Sequence, residues 1–263
     1  MKKILTLAGS DTSGGAGIEA DLKTFQETGV YGMTALTTIV AQDPTNNWNH
    51  DVFPIEIDTV KKQLRTILEG VGVDGMKTGM LPSVEVIEIA AQVIEKHQLP
   101  AVIDPVLVCK GQDEALHPEN ADALRERLVP KALVTTPNLF EAGQLANMSK
   151  VSSIDDMKQA AQKIVEQGAK SVVITGGFDA NTNEVVDVFY DGNEYLLLKQ
   201  EKIDTTYTHG AGCTFSSAII SQIVQGKTPK EAVQFARDFV TKAIKGSWRL
   251  NEYVGPVNQY ANR

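Results

Sequence analysis

The clearest candidate for chemistry is a glycine-containing loop, Thr208 to Thr214, that leads into an apolar helical pattern. Small side chains at Gly210, Ala211 and Gly212 allow the backbone N–H groups to converge. The start of a helix also offers unpaired N–H groups and the positive end of the helix dipole, which together favour a phosphate. The loop therefore indicates a phosphate site, although a turn that merely starts a helix has the same pattern.

Cys213 is the candidate catalytic group of this loop. A thiol at a helix N-terminus has a lowered pKa, because the dipole favours the thiolate. A thiolate in that place can accept a proton from an alcohol. The sequence thus indicates phosphoryl transfer to a hydroxyl group, with Cys213 as the base.

A second glycine cluster, Ser13 to Gly17, follows the first predicted strand and is preceded by Asp11. The cluster lacks the GxGxxG spacing of a dinucleotide-binding loop. It instead predicts a close approach of the backbone to a substrate.

Asn138 and Glu141 lie one helical turn apart, just after another predicted strand. Oxygen ligands with this spacing suit Mg²⁺ held through water, because Mg²⁺ keeps most of its hydration shell. The competing interpretation is a capping arrangement, in which Asn138 is the N-cap residue and Glu141 occupies the third helical position.

The segment Ile174 to Gly177 also ends a predicted strand. Thr175 and Gly177 are candidates for contact with a nucleotide. A plain turn is the alternative interpretation of the same residues.

Cys109 follows a predicted buried strand and precedes Lys110 and Gly111 in a predicted loop. A lone cysteine is more often an inert apolar residue. A nearby cation favours the thiolate, so a reactive thiol is the alternative.

Strands and helices in alternation must position these residues. Short β-rich runs alternate with helical patterns, which is typical of parallel strands joined by crossover helices. Residues 185–190 and 194–198 then predict a hairpin at a sheet edge, and two helices follow, the second beginning near Thr228 and Pro229. The polar stretch 42–50 is a candidate substrate flap. The other predicted strands lie near residues 3–8, 34–40, 73–78, 101–104, 133–136 and 171–175, and the other helices near 15–28, 57–69, 83–97, 118–128, 139–146 and 155–168.

Composition excludes several classes of function. The 263 residues are expected to form one domain over residues 1–263. A net charge of -8 argues against a nucleic-acid partner. No stretch approaches the roughly 20 apolar residues of a membrane span, so no membrane association is expected. The 2 cysteines and 4 histidines lack metal-ligand spacing, and we expect a cytoplasmic protein with reduced thiols.

Five motifs together carry a resemblance to a known family: Ala8–Asp11 with Gly14–Gly17, Ala20–Thr24, Lys77–Leu81, Thr136–Glu141 and His209–Thr214. They resemble the hydroxymethylpyrimidine kinase branch of the ribokinase superfamily, nearly end to end. The resemblance implies an α/β fold, a three-layer αβα sandwich with a mainly parallel central sheet and a small edge hairpin. It also implies a homodimer that uses ATP and Mg²⁺ to phosphorylate a primary alcohol on a nitrogen heterocycle.

The resemblance also assigns roles to individual residues. Cys213 stands where most of the superfamily has an aspartate base, as it does in the pyrimidine kinases, and Thr175 stands where many pyrimidine kinases have a lysine. The implied substrate-binding residues are Gly9, Asp21, Gln42, Met80, Leu107 and Cys109. The implied anion hole consists of Gly210, Ala211 and Gly212, with Cys213 as the base. The implied ATP-binding residues are Asn138, Thr175, Gly177, Gly210 and Gly212, and Mg²⁺ is assigned to Glu141, through water, and to Asn138.

The context of Cys109 is similar to that of bacterial dual-cysteine pyridoxal kinases, in which a lid cysteine meets the substrate aldehyde. Pyridoxal has both a hydroxymethyl group and an aldehyde that a thiolate can attack to form a hemithioacetal. Hydroxymethylpyrimidine has no aldehyde. The resemblance therefore implies phosphorylation of the 5′-hydroxymethyl group of pyridoxal, with pyridoxine and pyridoxamine as further substrates, in vitamin B6 salvage.

Three alternatives stay open from the sequence. Gln42 is the residue with which a pyrimidine kinase would read a ring amino group, so a hydroxymethylpyrimidine or phosphomethylpyrimidine kinase of thiamin biosynthesis is one. A non-catalytic pyridoxal-binding protein that uses Cys109 is another. The third is a redox switch between Cys109 and Cys213, which their different contexts disfavour.

Overall fold

The computed structural model describes residues 1–107 and 118–263, and the chain divides into two compact units. Unit 1 comprises residues 1–82 and 203–263, and unit 2 comprises residues 83–202. Both glycine loops therefore belong to unit 1, although almost 200 residues separate them in sequence. The expectation of a single domain stays a prediction. Within the described ranges, no helix combines the length and apolar character needed to cross a membrane.

Nine strands and eight helices are described in these ranges. The strands are β1 (Lys3–Asp11), β2 (Tyr31–Asp43), β3 (Asn49–Pro54), β4 (Gly75–Thr78), β5 (Ala101–Ile103), β6 (Val134–Thr135), β7 (Val172–Asp179), β8 (Glu184–Tyr190) and β9 (Tyr195–Glu201). The helices are α1 (Gly17–Glu27), α2 (Ile57–Arg65), α3 (Val84–His97), α4 (Pro118–Ala123), α5 (Leu139–Leu145), α6 (Ile154–Glu166), α7 (Ala211–Val224) and α8 (Pro229–Lys245). Two helices continue as short π-helical turns, Thr66–Val71 after α2 and Leu124–Leu128 after α4.

The sheet of unit 1 has the strand order β3-β2-β1-β4. Strand β1 pairs in parallel with both β2 and β4, and β3 pairs antiparallel with β2. The central strand β1 is a nearly continuous apolar run whose Ile4, Leu5 and Leu7 are completely buried, as expected for a parallel strand covered on both faces. Its end delivers Asp11 and the first glycine cluster to one edge of the sheet.

The strands of unit 2 have the order β5-β6-β7-β8-β9. The first three are parallel, and β7, β8 and β9 are antiparallel. The predicted hairpin is therefore confirmed as β8 and β9. The predicted α/β class, with mainly parallel strands, is confirmed as well.

The polar stretch 42–50 is not the irregular break that its composition suggested. Strand β2 continues to Asp43, and β3 begins at Asn49, so the stretch is the tip of an antiparallel hairpin. Asn47 and Trp48 close the turn with left-handed backbone (φ 51° and 64°), and the Trp48 ring stacks on Tyr253 with 5.8 Å between ring centroids. Strand β3 was not predicted, because its residues alternate little between polar and apolar and the residues before it are typical of a turn.

Asp21 lies in a completely buried hydrogen-bond network that joins four elements of unit 1. Its carboxylate forms an ion pair with the Lys77 ammonium, with Nζ 2.9 and 3.1 Å from the two oxygens, and neither side chain is exposed. The hydroxyls of Thr6 and Ser217 donate to the same carboxylate at 2.6 and 2.7 Å. Asp21 thus anchors the core of unit 1, and its implied role in binding the substrate stays a prediction.

Lys77→Met is expected to lower the free energy of unfolding by about 3–5 kcal/mol, because it leaves the Asp21 carboxylate buried without its cation. Urea unfolding of the variant measures this loss. Adding Asp21→Asn to Lys77→Met should restore part of it, because the buried charge is then gone. Lys62→Met breaks the exposed Lys62–Asp58 pair and serves as the control. A loss no larger than in this control would contradict the structural role of the buried pair.

Candidate active site

The carboxylate of Asp11, at the end of β1, folds the first glycine cluster around itself. One oxygen accepts hydrogen bonds from the N–H of Gly15 at 3.2 Å and of Ala16 at 2.8 Å, and from the Ser13 hydroxyl at 2.9 Å. The other oxygen accepts from the Ser13 N–H at 2.9 Å and from the Gln42 amide at 2.7 Å. A buried carboxylate thus fixes the backbone of this loop.

The same carboxylate also binds His209, the residue immediately before the second glycine loop. The distance from its Nε2 to the Asp11 Oδ2 atom is 2.6 Å, and both side chains are almost completely buried. Burial alone would raise the pKa of Asp11, but the hydrogen bond and charge of His209, with hydrogen bonds from Ser13, hold that pKa well below its ordinary value. Asp11 is therefore ionised throughout the physiological pH range.

Gly15 and Gly210 lie where the two glycine loops approach each other closely. A Cβ atom on Gly210 would overlap the carbonyl oxygen of Gly15, and Gly210 has a left-handed backbone (φ 81°) that disfavours side chains. A Cβ atom on Gly15 would overlap the His209 ring. Glycine at these two positions is thus needed for the loops to meet.

Helix α7 starts three residues earlier than the apolar pattern indicated. Gly210 is its N-cap residue and Ala211 its first helical residue, so Gly212 and Cys213 lie in the first turn. Sequence reasoning placed the start at Thr214, because two small residues and a cysteine carry no helical periodicity. The earlier start places the N–H groups of Gly212 and Cys213 in the first turn, where a helix supplies no partner of its own, whereas the Ala211 N–H already donates to the Thr208 carbonyl at 3.1 Å.

Cys213 is half-buried in this first turn. The positive end of the α7 dipole favours its thiolate. One turn further along α7, Ser217 donates to the buried Asp21 carboxylate, so this end of the helix is anchored to the core. The structure therefore places Cys213 at the start of a helix that is anchored to the core, and its role as a base stays a prediction.

Three of the implied substrate-binding residues, Gly9, Gln42 and Met80, lie in unit 1. Gly9 is buried, and a Cβ atom there would lie 2.7 Å from the Thr38 Cγ2 atom and 3.7 Å from the Met80 Cβ atom. Gly9 and Met80 are thus neighbours, and Gln42 lies against Asp11. Cys109 lies outside the described residues.

Asn138 and Glu141 form the capping box that the sequence left as an alternative. Asn138 Oδ1 accepts from the Glu141 N–H at 2.9 Å, and Glu141 Oε2 accepts from the Asn138 N–H at 2.9 Å. Glu141 Oε1 also accepts from the N–H of Leu107, a buried residue, at 3.4 Å. Capping therefore accounts for their spacing, and it leaves a metal role to be argued from charge.

Burial, and secondly the charge of Asp104, raise the pKa of Glu141 to about 8, against the hydrogen bonds from the Asn138 and Leu107 N–H groups. Two repelling buried carboxylates supply the hard oxygen donors that Mg²⁺ prefers, and a divalent cation would relieve their repulsion. Residues 1–107 and 118–263 contain no group of three or more histidine, cysteine, aspartate or glutamate side chains placed to hold a metal directly. The donor set thus fits a magnesium ion held largely through water.

Thr175 and Gly177 differ in what the structure offers a nucleotide. Thr175 is half-buried, and its N–H donates to the Pro137 carbonyl at 2.9 Å, beside Asn138. Gly177 is buried, and a Cβ atom there would lie 2.5 Å from the Met157 sulfur, too close for a side chain. Packing therefore explains the glycine at 177, and contact of either residue with ATP stays a prediction.

Sequence reasoning missed Asp104 and His209 and left Asp11 without a role. His209 was set aside because the four histidines lack metal spacing. The available signal was its position directly before the glycine loop. Asp11 and Asp104 each lie at or just after the end of a buried strand, where functional side chains collect in α/β folds.

Comparison with known proteins shows the family to which the chain belongs. The family described as phosphomethylpyrimidine kinase matches residues 11–258. The chain belongs to this family. Over 264 residues it is 59% identical to a pyridoxine kinase of Bacillus subtilis, covering 100% of this chain and 97% of the relative.

Solved structures of other family members confirm the ribokinase-like fold. An ADP complex of Bacillus subtilis pyridoxal kinase matches with a TM-score of 0.95 and 58% identity, over 99% of this chain and 98% of that one. A Staphylococcus aureus pyridoxal kinase in complex with AMP-PCP and pyridoxal matches with a TM-score of 0.92 and 47% identity, over 99% and 94% of the two chains. The family resemblance read from the motifs is therefore confirmed.

Asp11→Asn is expected to lower the free energy of unfolding by about 1–3 kcal/mol at pH 7, because the charged acceptor of several hydrogen bonds is lost. The pKa of Asp11 is lower in the folded protein than its ordinary value of 3.8. Its charge therefore stabilises the fold at pH values above 3.8, and this contribution is lost as the pH falls below 3.8. Urea unfolding at pH 7 and pH 3 should therefore show a smaller difference between variant and wild type at pH 3. Asp204→Asn, at an exposed position, is the control. An equal loss at both pH values would mean that the charge of Asp11 contributes nothing.

Proposed function

We propose that this chain is a pyridoxal kinase, which transfers the γ-phosphate of ATP to the 5′-hydroxymethyl group of pyridoxal and so forms pyridoxal 5′-phosphate in vitamin B6 salvage. Pyridoxine and pyridoxamine carry the same hydroxymethyl group and are expected substrates. The observation that carries the proposal is the start of α7, where Cys213 lies in the first turn behind a glycine N-cap. End-to-end similarity to a pyridoxine kinase supports the choice of substrate.

The first turn of α7 is the proposed anion hole. Gly210 caps the helix without a side chain, and Gly212 is exposed, so a phosphate can approach the N–H groups closely. Charge that develops on the transferred phosphoryl group meets fixed dipoles, which need no reorganisation during the reaction. Ala211 completes this turn, and its small side chain keeps the approach open.

Cys213 is the proposed base. Its thiolate accepts the hydroxymethyl proton as the substrate oxygen attacks the γ-phosphorus, and the bond to the ADP oxygen breaks. Because transfer of a phosphoryl group depends mainly on positioning and charge stabilisation, a base held on a rigid helix start is sufficient.

Gly9, Gln42 and Met80 are proposed to hold the heterocycle in unit 1. Gly9 provides a flat wall because a side chain there would collide with Thr38. Cys109, which lies outside the described residues, is proposed to bind the pyridoxal aldehyde as a hemithioacetal. Leu107, which is buried, is also proposed to line the substrate pocket.

Asn138, Glu141 and Asp104 are proposed to bind the nucleotide phosphates and Mg²⁺ in unit 2. Thr175 and Gly177 of β7 are proposed to contact ATP as well, and Thr175 forms a backbone bridge with Asn138. When bound, Mg²⁺ neutralises phosphate charge. Glu141 is expected to be ionised in that state, because the cation offsets the burial and the repulsion from Asp104 that raise its pKa.

A second activity toward hydroxymethylpyrimidine is favoured by one observation. Gln42 donates its amide N–H to Asp11 at 2.7 Å, which orients the side chain. Its carbonyl is the acceptor that a ring amino group needs. The family description, phosphomethylpyrimidine kinase, agrees with this candidate.

We further propose that the protein acts as a cytoplasmic homodimer and that residues 1–263 fold as one domain. The family resemblance supports both statements, and the absence of metal-ligand or disulfide spacing supports a reducing compartment. Analytical ultracentrifugation tests the dimer.

Cys213→Ala is expected to reduce kcat by about 10²–10⁴-fold with little change in KM, because only the proton acceptor is lost. ADP formation with pyridoxal and Mg²⁺ measures the rate. Cys213→Asp should recover part of the activity, since a carboxylate can accept the same proton. Equal rates for the two variants would contradict the assignment of a base to this position.

Comparison of substrates tests the reaction itself. Wild-type protein should form ADP in proportion to added pyridoxal, whereas a carrier protein would form none. Cys109→Ala should lower kcat/KM for pyridoxal more than for pyridoxine, which lacks the aldehyde. A strong preference for hydroxymethylpyrimidine that Cys109→Ala leaves unchanged would favour the thiamin-pathway kinase instead.

A further inference from the structure

One imidazole and one carboxylate join the two glycine loops of unit 1. The His209 Nε2 atom lies 2.6 Å from the Asp11 Oδ2 atom, and the Ser13 hydroxyl oxygen lies 3.5 Å from the same nitrogen. The proposed reaction assigns no step to His209, since the base is Cys213 and other residues bind the substrate. We infer that His209 is a positioning residue, which holds the anion hole of α7 in place by binding Asp11.

The backbone of His209 is fixed as firmly as its side chain. Its N–H donates to the Gly255 carbonyl at 3.1 Å, and its carbonyl accepts from the Val257 N–H at 3.0 Å. The residue is therefore held on the C-terminal segment by its backbone and on β1 by its ring. Only the N-cap residue Gly210 separates it from the first residue of α7.

Asp11 is a rigid partner for this ring. Its carboxylate accepts from the N–H groups of Ser13, Gly15 and Ala16 and from the Gln42 amide. Because these donors come from the turn and from β2, the carboxylate cannot follow a moving imidazole. The first loop thus sets the position of the His209 ring, while the C-terminal segment holds the His209 backbone.

Steric contact limits the ring from another side. A Cβ atom on Gly15 would overlap the imidazole, and one on Gly210 would overlap the Gly15 carbonyl. With His209 released, Gly210 loses the support that sets this approach, and the N–H group of Gly212 shifts with it. A displacement of about 1 Å at a reacting centre can cost about 10²-fold in rate, so a residue without substrate contact can control kcat.

Two substitutions separate positioning from bulk packing. His209→Gln keeps a donor at the ε position, whereas His209→Asn is too short to replace the Nε2 donor. The inference rests on the proposed function, so kcat and KM for pyridoxal are measured for both variants. His97→Asn, at the end of α3 in unit 2, is the matched control.

A second readout needs no turnover. In a Cys109→Ala background Cys213 is the only cysteine, and its alkylation by iodoacetamide across pH gives the apparent pKa of its thiol. Displacement of the helix start should raise that pKa, because the thiolate loses its fixed dipoles. This measurement stays informative even where the protein proves not to be a pyridoxal kinase.

The expected result is a fall in kcat of about 10²-fold for His209→Asn with KM changed little, substantial recovery in His209→Gln, and no effect of His97→Asn. The alkylation profile should shift upward in pH for the asparagine variant alone. If His209→Asn does not fold, Asp11→Asn tests the same bond from its other partner.

Three results would overturn the inference. The first is wild-type kcat and alkylation in His209→Asn. The second is equal damage in the glutamine and asparagine variants, which would indicate packing of the ring. The third is an altered melting temperature with kcat and thiol pKa both unchanged, which would indicate stability alone.

Discussion

The buried carboxylate of Asp11 is the constraint on which the rest of unit 1 depends. A charge removed from water is costly unless hydrogen bonds and an opposite charge replace its hydration. The chain supplies these from three segments: the adjacent turn after β1, the end of β2 and His209. Satisfying one carboxylate therefore closes the unit and brings its two glycine loops together.

Two buried acids, Asp21 and Glu141, differ in the charge beside them. Asp21 faces the Lys77 ammonium and hydroxyl donors, so its charge is compensated and it anchors α7 to the core. Glu141 is buried and is repelled by the charge of Asp104, and these two effects raise its pKa to about 8. A buried carboxylate that is repelled by another carboxylate contributes little to stability but binds a cation well. Groups with strongly shifted pKa values therefore often lie at functional sites.

Much of the fold could be predicted from the sequence, because buried parallel strands are continuous apolar runs and several helices begin with recognisable caps. Strand β3 escaped because its residues alternate weakly and the turn before it is polar. The start of α7 escaped because glycine and alanine have no periodicity. In each case a backbone conformation, and not a hydrophobic pattern, decided the element.

The site divides in the same way. Cys213 and its loop were evident from a local glycine motif. The hydrogen bond between Asp11 and His209 joins residues 198 apart in sequence, so it has no local signature. Asp21 resembled a pocket residue by motif, yet its surroundings are those of a core ion pair. Only the three-dimensional contacts distinguish such a role.

The interlocked glycines have a consequence for protein engineering. Since a side chain on Gly210 would meet the Gly15 carbonyl and a side chain on Gly15 would meet the His209 ring, residues 11–17 and 208–214 must be transplanted together. A designer who moved the helix start alone into another α/β scaffold would transfer its sequence without its geometry. Directed evolution of either loop is similarly restricted, because a productive change in one must be accommodated by a simultaneous change in the other.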